Sequence, residues 1–416
     1  MKTLLPKLKN LKFFAQNTGR KNKGKKGIFY TVKKLPDFNN RPEKEADINV
    51  LLLRMANRVT RRRLRKAMLR IKKLPGGIHF FQYGWNKIVG FWLRFIRSTK
   101  VPHPSSIMLE VTNQCNLACI TCPREYAYGE QMDKGFMNLE KMKKVVDEAF
   151  PYVDSIGLTG LGETFMYKKL PEIVDYIRSK NKGIIISVST NAHLPISVKM
   201  AEELADKIDT IQVSIDGIGK VYEQVRLKSD YHFFYENMLQ TIEVCKGKRA
   251  SVMFNFVAIK ENYREMAEIV ELAAKLGVKY VNITPFNVAS VTIYDKSYYD
   301  FFQTAAFKSE LKRAKETARK YPQIEFTTWD IEAPKGFRKC DLVWSHFYVS
   351  WDGYATPCCA KPFPKELNFG NIFDDGLMKC LNNKDYRRFR AMWYKNEPPE
   401  FCKNCHVIDL DPVIID

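Results

Sequence analysis

The sequence predicts an α/β protein: a partial (β/α)6 TIM-like barrel, a small Cys-rich C-terminal domain, and a basic helical N-terminal extension. Three observations carry this. Six apolar, β-rich runs alternate with helix-period segments between residues 107 and 286, the pattern of βα units around a parallel sheet. Five cysteines fall within residues 340–405. The charge is lopsided, with 27 Lys and Arg against 4 Asp and Glu in residues 1–100, and 41 against 42 in the remaining 316.

Residues 1–45 are Lys-rich with Gly, Asn and Pro and have weak periodicity, so they read as a disordered arm. Residues 46–74 read as a basic helix stopped by Pro75-Gly76-Gly77. In "FFQYGWNKIVGFWLRFIR", residues 80–97, the polar positions Gln82, Asn86, Gly90, Arg94 and Arg97 recur every three to four residues as one narrow stripe. The rest is mostly aromatic or aliphatic. The segment is slightly short for a membrane span and carries three basic residues. It reads either as an interfacial helix, with the basic arm on anionic head groups, or as a helix packed outside the main domain. A basic arm also suits nucleic acid, a partner this reading disfavours.

Strands are expected at 107–112, 155–160, 183–190, 210–215, 251–259 and 280–286. Helices are expected at 139–149, 169–180, 197–207, 231–246, 262–276 and about 298–320. The expected boundaries are 1–45 for the arm, 46–100 for the two helices, 106–330 for the barrel and 335–416 for the tail. Ten cysteines are too sparse for a secreted disulfide scaffold. The first thirty residues lack the apolar core of a signal peptide, so clustered cysteines are expected to be metal or redox groups in a reducing cytoplasm.

"EVTNQCNLACITCPR", residues 110–124, places Cys115, Cys119 and Cys122 directly after the first strand. Catalytic residues of such barrels gather at the C-terminal ends of the strands. Iron–sulfur clusters are normally held by four thiolates. Three would hold a 4Fe–4S cluster with one iron left open, as catalytic metal sites keep a position for a reactant. A zinc site completed by a distant His is the bland alternative, and the spacing suits no common zinc knuckle.

This C-x3-C-x2-C loop resembles that of the radical SAM superfamily, and further matches follow in order over about residues 106–290. Gly160-Leu161-Gly162-Glu163 is similar to the motif that holds the amino group of S-adenosylmethionine, where glycines let backbone approach the ligand and a carboxylate meets an ammonium. Ser189, Thr190 and Asn191 resemble the ribose-contacting strand end. Ser214 lies in "SIDG", another polar strand end. Arg226 resembles the arginine that pairs with the methionyl carboxylate. One position departs: Thr121 stands where a bulky apolar residue often packs near the adenine.

In the tail, Cys340, Gly353 and Cys358 give C-x12-G-x4-C, and Cys402 and Cys405 give C-x2-C. "FYVSWDGYATP" reads as a hairpin turning at Asp352-Gly353. The set resembles the SPASM/Twitch extension of radical SAM enzymes. That resemblance implies one auxiliary 4Fe–4S cluster on Cys340, Cys358, Cys402 and Cys405, with Cys359 an alternative to its neighbour. A closed cluster suits electron transfer. A four-thiolate zinc site is the alternative. Cys245 and Cys380 read as core residues. His193 and His406 lie near the motifs, and no residue stands out as a general base.

The resemblance implies reductive cleavage of S-adenosylmethionine to a 5′-deoxyadenosyl radical that takes hydrogen from a substrate, with electrons from a flavodoxin- or ferredoxin-like donor. A peptide-binding winged-helix module is not evident before the barrel, and the seven-cysteine tail of sulfatase-maturing members is absent. These two absences favour a small or lipid-linked, sugar-like substrate. The closed auxiliary cluster implied by the resemblance favours its net oxidation. The basic arm and aromatic helix would bring the cytoplasmic enzyme to an anionic membrane surface through residues 1–100. Modification of a ribosomal peptide or a protein is the alternative. An RNA-modifying enzyme and a non-catalytic electron relay stand behind it.

Overall fold

The computed structural model describes residues 78–416 except 296, 330–339, 341, 396, 403, 406–411 and 416. The arm at 1–45, the helix expected at 46–74 and His406 therefore lie outside the described residues.

Helix α1 (Ile78–Phe95) precedes the barrel. Its inner side is the polar one. Tyr83 and Asn86 are buried, Lys87 Nζ donates to Asp154 at 2.7 Å, and Asn86 exchanges two bonds with the backbone of His103. The aromatic side faces outward. A wide apolar stripe does not point inward when buried hydrogen-bond partners claim the narrow polar one.

The barrel follows in the expected order. Strands β1 (Ser106–Leu109), β3 (Ser155–Leu158), β4 (Ile185–Thr190), β5 (Thr210–Ser214), β7 (Ser251–Ala258) and β8 (Tyr280–Pro285) pair in parallel, each with the next. Their side chains alternate between buried and partly buried positions, and Ile107, Ile156, Val188, Ile211, Phe254 and Val281 are core residues. Between them run α2 (Leu139–Ala149), α3 (Leu170–Lys180), α4 (Ser197–Leu204), α5 (Lys220–Val225), α6 (Tyr231–Cys245) and α7 (Met266–Leu276). Local chemistry sets several ends. Asn138 caps α2, Asp230 caps α6, and Gly277 at φ 73° closes α7 in the left-handed region that glycine tolerates.

The helix expected at about 298–320 is two helices, α8 (Tyr298–Phe301) and α9 (Ala305–Lys320). The Thr304 side chain accepts from Phe307 N and starts the second one. Strand β9 (Glu325–Trp329) extends the sheet in parallel beside β8. It was not expected, because its short polar run "EFTTW" lacks an apolar signature.

The tail joins the same sheet. Strand β10 (His346–Val349) lies parallel to β1, with Ser106 opposite His346, and β11 (Ala355–Thr356) returns antiparallel to it. The turn falls at Asp352-Gly353 as expected. Gly353 N donates to Ser350 O at 2.8 Å, with φ 98° at the glycine. A Cβ there would stand 2.3 Å from the Phe373 ring. Strand β12 (Pro412–Ile415) closes the far edge antiparallel to β9. Cys245 and Cys380 are buried in the core.

Candidate functional site

All three loop cysteines stand at the barrel's strand ends. The loop leaves β1 through Thr112, whose Oγ1 donates to Gly135 O at 2.6 Å, and Asn113, whose Nδ2 donates to Asp133 O at 2.7 Å. A two-stranded ladder, β2 (Ala118–Cys119) with β6 (Arg226–Leu227), sets Cys119 opposite Arg226. Residues more than a hundred positions apart thus share one site. Arg226 Nη1 lies 3.8 Å from Cys119 Sγ, and Asn191 Nδ2 lies 3.6 Å from Cys115 Sγ. Burial pushes all three thiols up, Cys119 to about 12. Arg226 opposes this at Cys119, and Arg124 opposes it at Cys115 and Cys122. The positive charge beside the loop favours thiolates, the form that binds metal. Arg124 was not anticipated. Its guanidinium also ties the loop by donating to the carbonyls of Leu117 and Cys115.

The glycines of the Gly160-Leu161-Gly162-Glu163 turn make room for the protein itself. A Cβ on Gly160 would lie 2.3 Å from Glu110 Cγ, and one on Gly162 would lie 2.5 Å from the carbonyl oxygens of Thr112 and Gln114. The turn docks on the cysteine loop, with Gly162 N donating to Thr112 O and Glu163 N to Gln114 O. Close packing against the cysteine loop and Glu110 is thus one reason for glycine at both positions. Glu163 is likewise engaged. Its carboxylate accepts from Phe165 N at 3.0 Å, Thr190 Oγ1 at 2.8 Å and Asn191 N at 2.6 Å. It therefore fixes the end of β4, and three of a carboxylate's roughly four acceptor positions are taken.

Ser189 Oγ donates to Gln212 at 3.1 Å, and Ser214 ends β5 half-buried. Arg226 is buried and paired with Asp216 at 2.6 Å. Asp216 also accepts from Val257 N. Its signal was the acid inside "SIDG", read only as a polar strand end. Arg226 Nε is buried with no hydrogen-bond partner among the described residues. A buried guanidinium N–H left open suits a ligand carboxylate. His193 is a scaffold residue, since its Nε2 accepts from Asp230 N at 2.8 Å.

Glu110 was missed altogether. Fully buried, it accepts from Leu161 N at 2.9 Å, Tyr348 Oη at 2.6 Å and Trp351 N at 3.1 Å. One carboxyl group thus joins β1, the glycine turn and the tail hairpin. Burial raises its pKa to about 7 against the pull of those hydrogen bonds, and the nearby Asp352 charge adds to the rise. Between the ordinary value of 4.5 and about 7, the folded chain keeps a proton that the unfolded chain has lost. Stability from this group therefore falls as pH rises through that window and is level above it. The stability difference between the parent and Glu110→Gln should change across the window by up to about 1.4 kcal/mol per pH unit. Denaturant midpoints over a pH series measure it, and a difference independent of pH would refute the assignment.

In the tail, Cys340, Cys358, Cys402 and Cys405 line one cavity, walled by Leu342, Val343, Pro357, Trp393 and Phe401. Cys359 is exposed and does not line it. The cavity is seated on the end of β8: Asn287 Nδ2 donates to Cys405 Sγ at 3.2 Å, and Ser290 Oγ donates to Ala360 O at 2.6 Å. Burial pushes the Cys358 thiol well above its ordinary value, and its cysteine neighbours add to the rise. Four sulfurs around an apolar cavity are a closed donor set of the kind that holds an iron–sulfur cluster.

A partial barrel with an open three-thiol loop at its strand ends and a closed four-thiol cavity beside them defines the class, an iron–sulfur enzyme. Residues 109–273 match the Radical SAM superfamily and residues 340–406 match SPASM, an iron–sulfur cluster-binding domain. The chain belongs to the radical SAM superfamily and carries a SPASM domain, so it uses a 4Fe–4S cluster with S-adenosylmethionine and further iron–sulfur chemistry in the tail. It is 25% identical over 334 residues to the tungsten-containing aldehyde ferredoxin oxidoreductase cofactor-modifying protein of Pyrococcus furiosus, covering 73% of this chain and 87% of that protein. It is 22% identical over 321 residues to a PqqA peptide cyclase of Xanthomonas campestris pv. campestris, covering 75% and 81%. The fold resembles that of Streptococcus suis SuiB bound to S-adenosylmethionine, with a TM-score of 0.59 at 16% identity, over 88% of this chain and 82% of that one.

Proposed function

We propose that this radical SAM enzyme modifies a peptide. The observation that carries the reading is the similarity to the PqqA peptide cyclase, which extends over three quarters of the chain. The small or lipid-linked, sugar-like substrate favoured by the sequence alone rested on a missing winged helix and a short cysteine tail. The peptide alternative takes its place.

In this reading Cys115, Cys119 and Cys122 hold the first cluster. Glu163, with Gly160 and Gly162 shaping its turn, takes the amino group of S-adenosylmethionine. Arg226 takes the carboxylate through Nε, and Ser189, Asn191 and Ser214 face the nucleoside. Cys340, Cys358, Cys402 and Cys405 hold the second cluster, and the reductant is a flavodoxin- or ferredoxin-like protein. When bound, cluster and S-adenosylmethionine supply a carbon radical able to take hydrogen from an unactivated C–H bond. The chain's own work is to orient and to keep water out. Asn191, just past β4, contacts Cys115 and Arg226, in β6, contacts Cys119, and Asp216 fixes the guanidinium.

The test is anaerobic reconstitution with S-adenosylmethionine, a reductant and the short peptides encoded beside the gene. Loss of hydrogen from a peptide, seen by mass spectrometry together with 5′-deoxyadenosine release, supports the reading. Release of 5′-deoxyadenosine on a sugar, with every peptide unchanged, would sink it.

The tail assignment gives its own expectation. Cys358→Ala should lower iron from about eight to about four atoms per chain, whereas Cys359→Ala should leave the iron content at the parent level. Iron analysis of the reconstituted variants decides, and equal losses would refute the choice of Cys358.

A further inference from the structure

The outward face of α1 carries an observation that the peptide reading does not use. Of the 13 exposed large hydrophobic residues among the described residues, eight lie between Phe80 and Ile96. Phe81 is 73% exposed, Trp85 67%, Ile88 60% and Trp92 54%. Their spacing of three to four residues puts them on one side of the helix. Soluble chains rarely leave a continuous apolar stripe of this kind without a partner.

We propose that this face docks on an anionic lipid bilayer, with α1 lying flat at the level of the head groups. Three features select a bilayer. The helix cannot turn its apolar side inward, because Tyr83 and Lys87 bond Asp154, Lys87 also bonds Ser105, and Asn86 is held at both ends by His103. The stripe is rich in Trp and Phe, which favour the water–hydrocarbon boundary. Residues 1–77, which run directly into α1, hold 23 Lys and Arg against 4 Asp and Glu. Basic residues beside an amphipathic helix add attraction to anionic head groups. Among the described residues no helix is long and apolar enough to cross a membrane, so the helix lies on the bilayer and does not span it. The inference stands whether the substrate is a peptide or not.

The experiment uses the full chain, reconstituted, with vesicles of phosphatidylcholine alone or mixed with phosphatidylglycerol. Flotation should recover the protein with the mixed vesicles, and less of it as salt is raised. Bromine-labelled lipid should quench tryptophan fluorescence. The double variant Trp85→Glu, Trp92→Glu should bind at least about tenfold more weakly and lose the quenching, while keeping its iron content and its 5′-deoxyadenosine release. Three results would overturn the proposal. One is vesicle binding with no quenching and no effect of the double variant, which would assign binding to the basic residues alone and leave the face to a segment such as residues 46–74. Another is a dimeric parent made monomeric by the double variant with lipid binding unchanged, which would assign the face to a second copy of this chain. The last is no vesicle binding at all.

Discussion

Cys119→Ala is expected to abolish release of 5′-deoxyadenosine and to lower the reconstituted iron from about eight to about four atoms per chain. Cys119 sits at the centre of the arrangement. It is the loop residue paired in register with Arg226, and burial pushes its thiol up to about 12. Cys245, buried at the end of α6, is far from such a role. Cys245→Ala should keep both iron and activity, with at most the ordinary cost of a small core change. Anaerobic reconstitution, iron analysis and chromatography of the nucleoside products measure all of this. A Cys119→Ala protein that still cleaves S-adenosylmethionine would remove the three-cysteine loop from the reaction.

Arg226→Met should have the second large effect, and on stability as well as activity. The guanidinium is buried, and its pair with Asp216 is almost free of solvent. Removing one partner of a buried ion pair costs about 3–5 kcal/mol, because the other charge is stranded. Asp216→Asn in the same chain removes that stranded charge and can still accept from Val257 N. The double variant should therefore recover most of the lost stability. It should not recover binding of S-adenosylmethionine, since Nε is gone. Denaturant unfolding and equilibrium binding separate the two roles. Full recovery of binding in the double variant would make Arg226 a structural residue only.

The two variants also show how differently the parts of this site are written in the chain. Cys115, Cys119 and Cys122 are legible because their spacing and their place after a strand are local facts. The order of the strands was legible for the same reason. The partners of the motif residues were not. Asp216 looked like part of a polar strand end, Glu110 fell inside an expected strand, and nothing singled out Arg124. Each acquires its role only where segments far apart in sequence meet: Arg226 against Asp216 and Cys119, and Glu110 against Leu161, Tyr348 and Trp351. The two glycines of the turn were found for a ligand, yet the atoms that crowd them belong to Glu110, Thr112 and Gln114.

The sequence by itself determined the alternation of strands and helices, the three-cysteine loop, the C-x12-G-x4-C and C-x2-C spacings of the tail, and an amphipathic helix ahead of the barrel. These follow from periodicity and spacing, which act over a few residues. Only the tertiary structure set Cys358 on the cavity wall and Cys359 outside it, split the helix after β8 at Thr304, and turned the aromatic side of α1 outward. Periodicity states that a helix has two faces. Which face is buried depends on what the rest of the chain offers, and here Asp154, Ser105 and His103 offer hydrogen bonds to the polar one.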